Sequence, residues 1–186
     1  MNEASPNIHL VDLVQKRLGP DFIIRHWSCN GDDWIRTDSV HLIRLLTFLR
    51  DDPDSDLKVL ADLFSMDHTA EGEPNQDGQY EMVYLLHSAR LSYRIAVSVL
   101  LPKDELILPS AANLFEAAEW LEREIWESFG IQAVGHPNLR RLLSYPGFEG
   151  YPMRKMYPRA KTQPLVPLRQ SIRAAIIVGN DHPEGG

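Results

Sequence analysis

The sequence predicts an α+β fold: a mainly antiparallel sheet flanked by helices, with an extended, proline-rich C-terminal arm. Three observations predict it. "YEMVYLLHSAR" and "YRIAVSVLL" follow each other closely, and in the second Tyr93, Ile95, Val97 and Val99 alternate with Arg94, Ala96 and Ser98, the period of a half-buried strand. Apolar residues recur at helical spacing on both sides of this pair. Past Gly135, Pro137, Pro146, Pro152, Pro158, Pro164 and Pro167 recur too often for a long helix or a central strand. The division expected is a globular α+β domain over 1–134 and an arm over 135–186.

"NIHLVDLVQKRLG" reads as a first helix, with Ile8, Val11, Val14 and Leu18 at helical spacing and Gly19 as its stop. "FIIRHW" and "WIRT" read as short strands around the turn "SCNGDD". In "DSVHLIRLLTFLRDDPDSD" a second helix is capped by Asp38 or Ser39 and ends before Pro53. "LKVLADLFSMDH" reads as a buried strand and "TAEGEPNQDGQ" as a polar loop. The two strands that follow make an antiparallel hairpin, although Leu91 and Ser92 offer neither Gly nor Asn to fix its register. Pro109 and Ser110 open a third helix, with Ser110 as N-cap and Leu114, Ala118, Leu121 and Ile125 as its apolar stripe. Glu119 and Arg123 are spaced for an ion pair of ~0.3 kcal/mol. Gly130 permits a left-handed cap. Leu139, Leu142, Phe148, Tyr151, Met153 and Tyr157 sit among the prolines of the arm, so the arm orders against a surface rather than remaining a polar tail.

Composition limits the chemistry. Of 186 residues 44% are hydrophobic, enough for a core. Cys29 is the only cysteine, which excludes an intrachain disulfide, a four-cysteine zinc site or an iron-sulfur cluster held by this chain alone. Nothing approaches the ~18 apolar residues of a membrane span, and "MNEASPNIHL" has no basic region followed by an apolar run, so no secretory signal is expected. Residues 135–173 hold eight basic side chains against the single acid Glu149, a balance of +7, while the rest of the chain carries −14. A basic arm on an acidic body points to an electronegative surface that the arm meets. Nucleic acid is not the expected one, because the acidic body would repel a phosphate backbone.

Candidate catalytic groups are few. Glu122 and Glu124 lie two apart on a helix and point in different directions, so they do not form an acid-base pair. His136 has no second histidine at ligand spacing and precedes Pro137 in a turn. "GFEGYPMRK" matches neither dinucleotide nor phosphate loops. The bland reading of the cluster is charge pairing of Glu122, Arg123 and Glu124 with Arg140 and Arg141, within the chain or across an interface.

Residues 122–155, "EREIWESFGIQAVGHPNLRRLLSYPGFEGYPMRK", resemble the signature of the 30 kDa subunit family of respiratory complex I, which supplies the C subunit of bacterial NADH-quinone oxidoreductase. The residues that carry the resemblance are Glu122, Arg123, Glu124, Glu127, Phe129, Gly130, Ile131, Gly135, His136, Pro137, Leu139, Arg140, Arg141, Gly147, Phe148, Gly150, Pro152, Arg154 and Lys155. Tyr151 stands where the family frequently has His, and Met156 where it frequently has an acid. The resemblance implies a non-catalytic subunit that binds no cofactor itself, in a complex that uses FMN, iron-sulfur clusters, NADH and quinone. It implies a place on the cytoplasmic side of the bacterial inner membrane, with no span of its own, packed on the 49 kDa-type quinone-site subunit and near the iron-sulfur subunits. The implied interface residues are Glu122, Arg123, Glu124, Glu127, His136, Pro137, Arg140, Arg141, Phe148, Pro152, Arg154 and Lys155. The alternative is an equivalent scaffold in a related membrane-bound hydrogenase or another quinone- or ferredoxin-linked complex.

Overall fold

The computed structural model describes residues 8–164 except residue 30 and residues 70–79. The polar loop and the last part of the arm therefore lie outside the described residues. A first helix, α1 (Ile8–Arg17), leads through a single 3-10 turn at Pro20–Phe22 into β1 (Arg25–Cys29) and β2 (Asp32–Thr37). Helix α2 (Leu42–Asp51) and three longer strands follow: β3 (Val59–Asp67), β4 (Tyr80–Ser88) and β5 (Tyr93–Leu101). The short β6 (Ile107–Pro109), helix α3 (Glu116–Phe129) and β7 (Gln132–Val134) complete the regular structure described.

The main sheet has the order β1-β2-β5-β4-β3. Its pairs are antiparallel except β2 with β5, which run parallel because α2, β3 and β4 intervene between them. The α+β class expected from the sequence is the one observed, and the hairpin pairs Ser88 with Tyr93. Its turn places Ser92 at φ 54°, a left-handed residue that the sequence does not advertise.

Burial explains the elements. Ile35, Leu63, Met82, Tyr84, Leu86, Ile95, Val97 and Val99 share one sheet face, and the core closes over them with Leu10 and Val14 of α1, Leu42, Leu45, Leu46 and Leu49 of α2, and Ala118 and Ile125 of α3. A β-bulge between Leu60 and Asp62 inserts Ala61, so Leu60 and Leu63, three apart, both reach this face. The opposite face carries Arg25, Trp27, Trp34 and Arg36, with Trp27 and Trp34 stacked 5.5 Å apart.

Several expectations need correction. β3 is an edge strand with exposed positions, not a buried one. β5 is central and buries Ala96 and Ser98 as well as Ile95, Val97 and Val99, so both of its faces are covered. Phe22 belongs to the 3-10 turn, and β1 runs on to Cys29 through residues read as turn. α2 starts at Leu42, although the Asp38 carboxylate does accept the His41 amide at 2.8 Å. α3 starts at Glu116, six residues after Ser110. Pro109 ends β6 instead, and β6 pairs in parallel with β7, a small sheet that the sequence reading did not foresee.

Candidate functional site

The charged residues of α3 have three different tasks, set by the direction each faces. Glu122 is buried. Its carboxylate accepts the Ser110 hydroxyl and the Ala111 amide, each at 2.6 Å, and so ties the turn after β6 to α3. Ser110 thus serves α3 as a donor to Glu122 rather than as its N-cap. Burial pushes the Glu122 carboxyl above the ordinary glutamate value, against the two hydrogen bonds that favour the charged form.

Arg123 and Glu127, one turn apart, share a face. Arg123 Nε donates to the Arg140 carbonyl at 3.1 Å and its Nη2 to the Arg141 carbonyl at 3.3 Å. Glu127 accepts the amides of Leu142 at 2.5 Å, Leu143 at 2.9 Å and Ser144 at 2.5 Å. Burial pushes the Glu127 carboxyl up, but the Ser144, Leu143 and Leu142 donors outweigh it and hold the group below the usual range. The physical reason lies in the arm. Residues 135–164 form neither helix nor strand, so their peptide groups lack a ladder. A guanidinium that takes carbonyls and a carboxylate that takes amides replace that ladder over five consecutive residues. The expected Glu119–Arg123 pair is absent among the described residues, because Arg123 is committed to the arm.

The arm is pinned again beyond this point. Arg154 Nε donates to the Phe129 carbonyl at 2.6 Å, an acceptor left open in the last turn of α3. Its guanidinium lies 4.4 Å from the Tyr151 ring centre and 5.5 Å from that of Tyr80. A cation at a helix C-terminus is also favoured by the helix dipole. Met153 N–H reaches the Ser128 carbonyl, and Lys155 N–H reaches the Asp67 carboxylate at 2.8 Å. Arg141 lies between Trp126 and Phe148, 5.9 and 5.5 Å from their centres. His136 Nδ1 accepts the Asn138 amide within the turn at Pro137 and Nε2 donates to the Glu119 carbonyl of α3, so both ring nitrogens are occupied.

The sequence-predicted cluster is therefore brought together, but not as carboxylate-guanidinium pairs. Within the chain no carboxylate of Glu122, Glu124 or Glu127 pairs with Arg123, Arg140 or Arg141 among the described residues. The side chains of Glu124, Arg140 and Lys155 are exposed, as are Pro137 and Pro152, and the three charges have no ion-pair partner among the described residues. Asp67, Tyr80 and Trp126 were missed. Only Asp67 carried a local signal: in "DHT" its carboxylate accepts the Thr69 amide and hydroxyl, a turn that ends β3.

Among the described residues, no three His, Cys, Asp or Glu side chains gather as metal ligands, and no helix is long and apolar enough to cross a membrane. Residues 35–163 match the family described as respiratory-chain NADH dehydrogenase, 30 Kd subunit. The C subunit of NADH-quinone oxidoreductase from Hyphomonas neptunium is 37% identical over 136 residues, 73% of this chain and 64% of that protein. The protein of the same name from Brucella ovis is 44% identical over 145 residues, 78% of this chain and 68% of that protein. The chain thus spans 64% and 68% of the lengths of these two relatives. A solved Nqo5 structure, described as the trypsin-resistant fragment 1–134 of that protein, aligns at 25% identity with a TM-score of 0.57, over 62% of this chain and 89% of that one. A chain of membrane-bound sulfane sulfur reductase, an archaeal respiratory membrane complex, shares the fold at 17% identity, with a TM-score of 0.58 over 96% of both chains. The chain belongs to the 30 kDa subunit family of respiratory-chain NADH dehydrogenase.

Proposed function

We propose that this chain is a non-catalytic peripheral subunit of a proton-translocating NADH-quinone oxidoreductase. In this reading it holds the 49 kDa-type quinone-site subunit and the iron-sulfur subunits together on the cytoplasmic side of the membrane. FMN, the clusters, NADH and quinone belong to the other subunits. One observation carries the reading. Once the arm is seated, α3 and the arm keep large apolar and charged side chains in water: Trp120 is 56% exposed, Leu143 76%, Met153 60% and Met156 82%, and Glu124, Arg140 and Lys155 are exposed without an ion pair among the described residues. So many exposed apolar side chains on one helix and the arm packed against it, with Leu143, Met153 and Glu124 around one groove, fit an interface better than a solvated face. The family's signature residues divide accordingly. Arg123, Glu127, Arg154 and the amide of Lys155 shape the surface, while the Arg140 and Lys155 side chains point away from it. The signature thus has two parts, one that folds the arm and one that is left for a partner.

Arg140→Glu tests it. The side chain is exposed, so the unfolding midpoint of the isolated chain should not move. In the complex a charge reversal at a desolvated contact costs about 3–5 kcal/mol, so the variant should be lost from complexes purified through a neighbouring subunit. The wild-type chain should bring down quinone-site, iron-sulfur and flavin-bearing NADH-oxidising subunits. Recovery of a nickel-iron hydrogenase set would assign it to the related complexes instead. Wild-type assembly of the variant would remove Arg140 from the interface, and recovery of the chain alone would defeat the reading.

A further inference from the structure

A groove of about 500 Å³ runs between edge strand β3, the second half of α3 and the returning arm. Its walls are apolar: Leu63 and Phe64 from β3, Leu121, Ile125 and Phe129 from α3, and Met153 from the arm. Leu143 at its margin is also exposed. Each long wall carries a carboxylate, Asp62 on β3 and Glu124 on α3, both exposed and without an ion pair among the described residues. The third acid at the groove, Glu127, is already saturated by three amides. Among the described residues, no Lys, Arg or His lines the groove.

This is an asymmetric environment. An apolar side chain entering it removes the exposed parts of Leu121, Phe129 and Met153 from water. An acid entering with it would meet two carboxylates, whereas a base would lie between them. We infer that the groove receives a segment of a neighbouring subunit in which one or two large apolar residues stand beside a Lys or Arg, with the cation held between Asp62 and Glu124. The inference rests on the subunit reading above and deepens it. Two observations favour a neighbouring subunit as occupant. Leu143 and Met153, which line the groove, are themselves exposed and stand within three residues of the exposed Arg140 and Lys155 in the arm. Its charge is also opposite to that of the arm surface, so the two patches together select a partner with an acidic and a basic-apolar region side by side.

The test uses the full chain in its membrane complex, with a photo-crosslinking amino acid at Leu143 or at Met153. The expected product joins this chain to a different subunit, at a peptide with an apolar residue within about two positions of Lys or Arg. Crosslinks confined to residues 165–186 of the same chain, or between two copies of it, would overturn the inference, as would no crosslink in a complex that still co-purifies. The charge component is read separately with Asp62→Lys together with Glu124→Lys. Recovery of the chain with its complex should fall by at least about tenfold, the equivalent of ~1.4 kcal/mol, while the unfolding midpoint of the isolated chain stays unchanged. Wild-type recovery of this double variant, alongside loss of Arg140→Glu, would sink the groove and leave the subunit reading intact. A wild-type chain that brings down no complex would sink both.

Discussion

At the scale of the residue, two glutamates five apart in one helix respond oppositely to pH. Glu127 holds its carboxyl below the usual value, so its contribution to stability is present above the unfolded pKa and is lost as pH falls through the folded one. Glu122 is raised, so its contribution is present below the unfolded pKa and is lost as pH rises through the folded one. Glu127→Gln should cost about 2–4 kcal/mol at pH 7, since a charged acceptor of three amides becomes a neutral group with one oxygen, and the deficit should shrink as the medium is acidified below about pH 4. Glu122→Gln should do the reverse, gaining on the wild type as pH rises. Urea unfolding between pH 3.5 and 8 checks both, and parallel curves for the two variants would refute the assignment. Gly130 presents a steric case. It sits at φ 78°, and a Cβ there would stand 2.5 Å from Arg154 Nη2 and 2.7 Å from the Tyr151 ring. The left-handed conformation alone costs a non-glycine residue about 1–2 kcal/mol. Gly130→Ala should exceed that, because the pin between Arg154 and Phe129 must yield. In an Arg154→Ala background the excess should shrink to what the Tyr151 ring still imposes beyond the backbone cost, a coupling that a double-mutant cycle in urea would read.

At the scale of the element, stability is graded across the sheet. β4 and β5 each have strands on both sides and bury most of their positions, whereas β1 pairs only with β2 and exposes Arg25, Ser28 and Cys29. Amide exchange should be slowest in Tyr80–Ser88 and Tyr93–Leu101 and faster by orders of magnitude in Arg25–Cys29. Equal protection of β1 and β5 would show that the sheet opens only as a unit. The same gradient explains what was legible in the sequence. The hairpin could be read because alternation and length agreed, and α1 because its stop at Gly19 was local. The burial of β5 on both faces could not be read from Arg94 and Ser98, because it depends on neighbours distant in the chain. β3 misled because Ala61 breaks the alternation, and a bulge looks like a short apolar run. The start of α3 was misplaced because Pro109 and Ser110 are good N-terminal signals wherever a chain turns, and here the Ser110 hydroxyl turns to Glu122 instead. The cluster Glu122, Arg123, Glu124 and Glu127 was legible as important. Its partners were not, since backbone acceptors and donors leave no trace in side-chain spacing.

At the scale of the whole molecule, charge and hydrogen bonding separate. The basic arm and acidic body suggest mutual attraction, yet among the described residues no base of the arm pairs with an acid of the body. Lys161 reaches Glu149 within the arm, Arg141 and Arg154 lie against aromatic rings, and Lys155 meets Asp67 through its amide alone. What holds residues 136–155 is the exchange of peptide hydrogen bonds with Arg123, Glu127, Ser128 and Phe129, together with ring contacts. Two consequences oppose each other and make a test. Salt screens exposed charges over about 10 Å or less but leaves buried hydrogen bonds largely intact. Trypsin cleavage after Arg140 or Arg141 should therefore stay slow in the free wild-type chain as salt rises from about 0.05 to 0.5 M. It should accelerate by at least about tenfold, at any salt, in Arg123→Met combined with Glu127→Gln, where the peptide groups of 140–144 lose their partners. Exchange protection of β4 and β5 should survive in that variant if residues 1–134 are a unit that folds without the arm, as we propose. Loss of β4 and β5 protection together with the arm would instead make body and arm one cooperative unit. Because the exposed Arg140 and Lys155 side chains make no ion pair with the body among the described residues, their charge remains available to a partner. Retention of the chain in its complex should accordingly fall with salt over the range in which the free chain's arm stays seated.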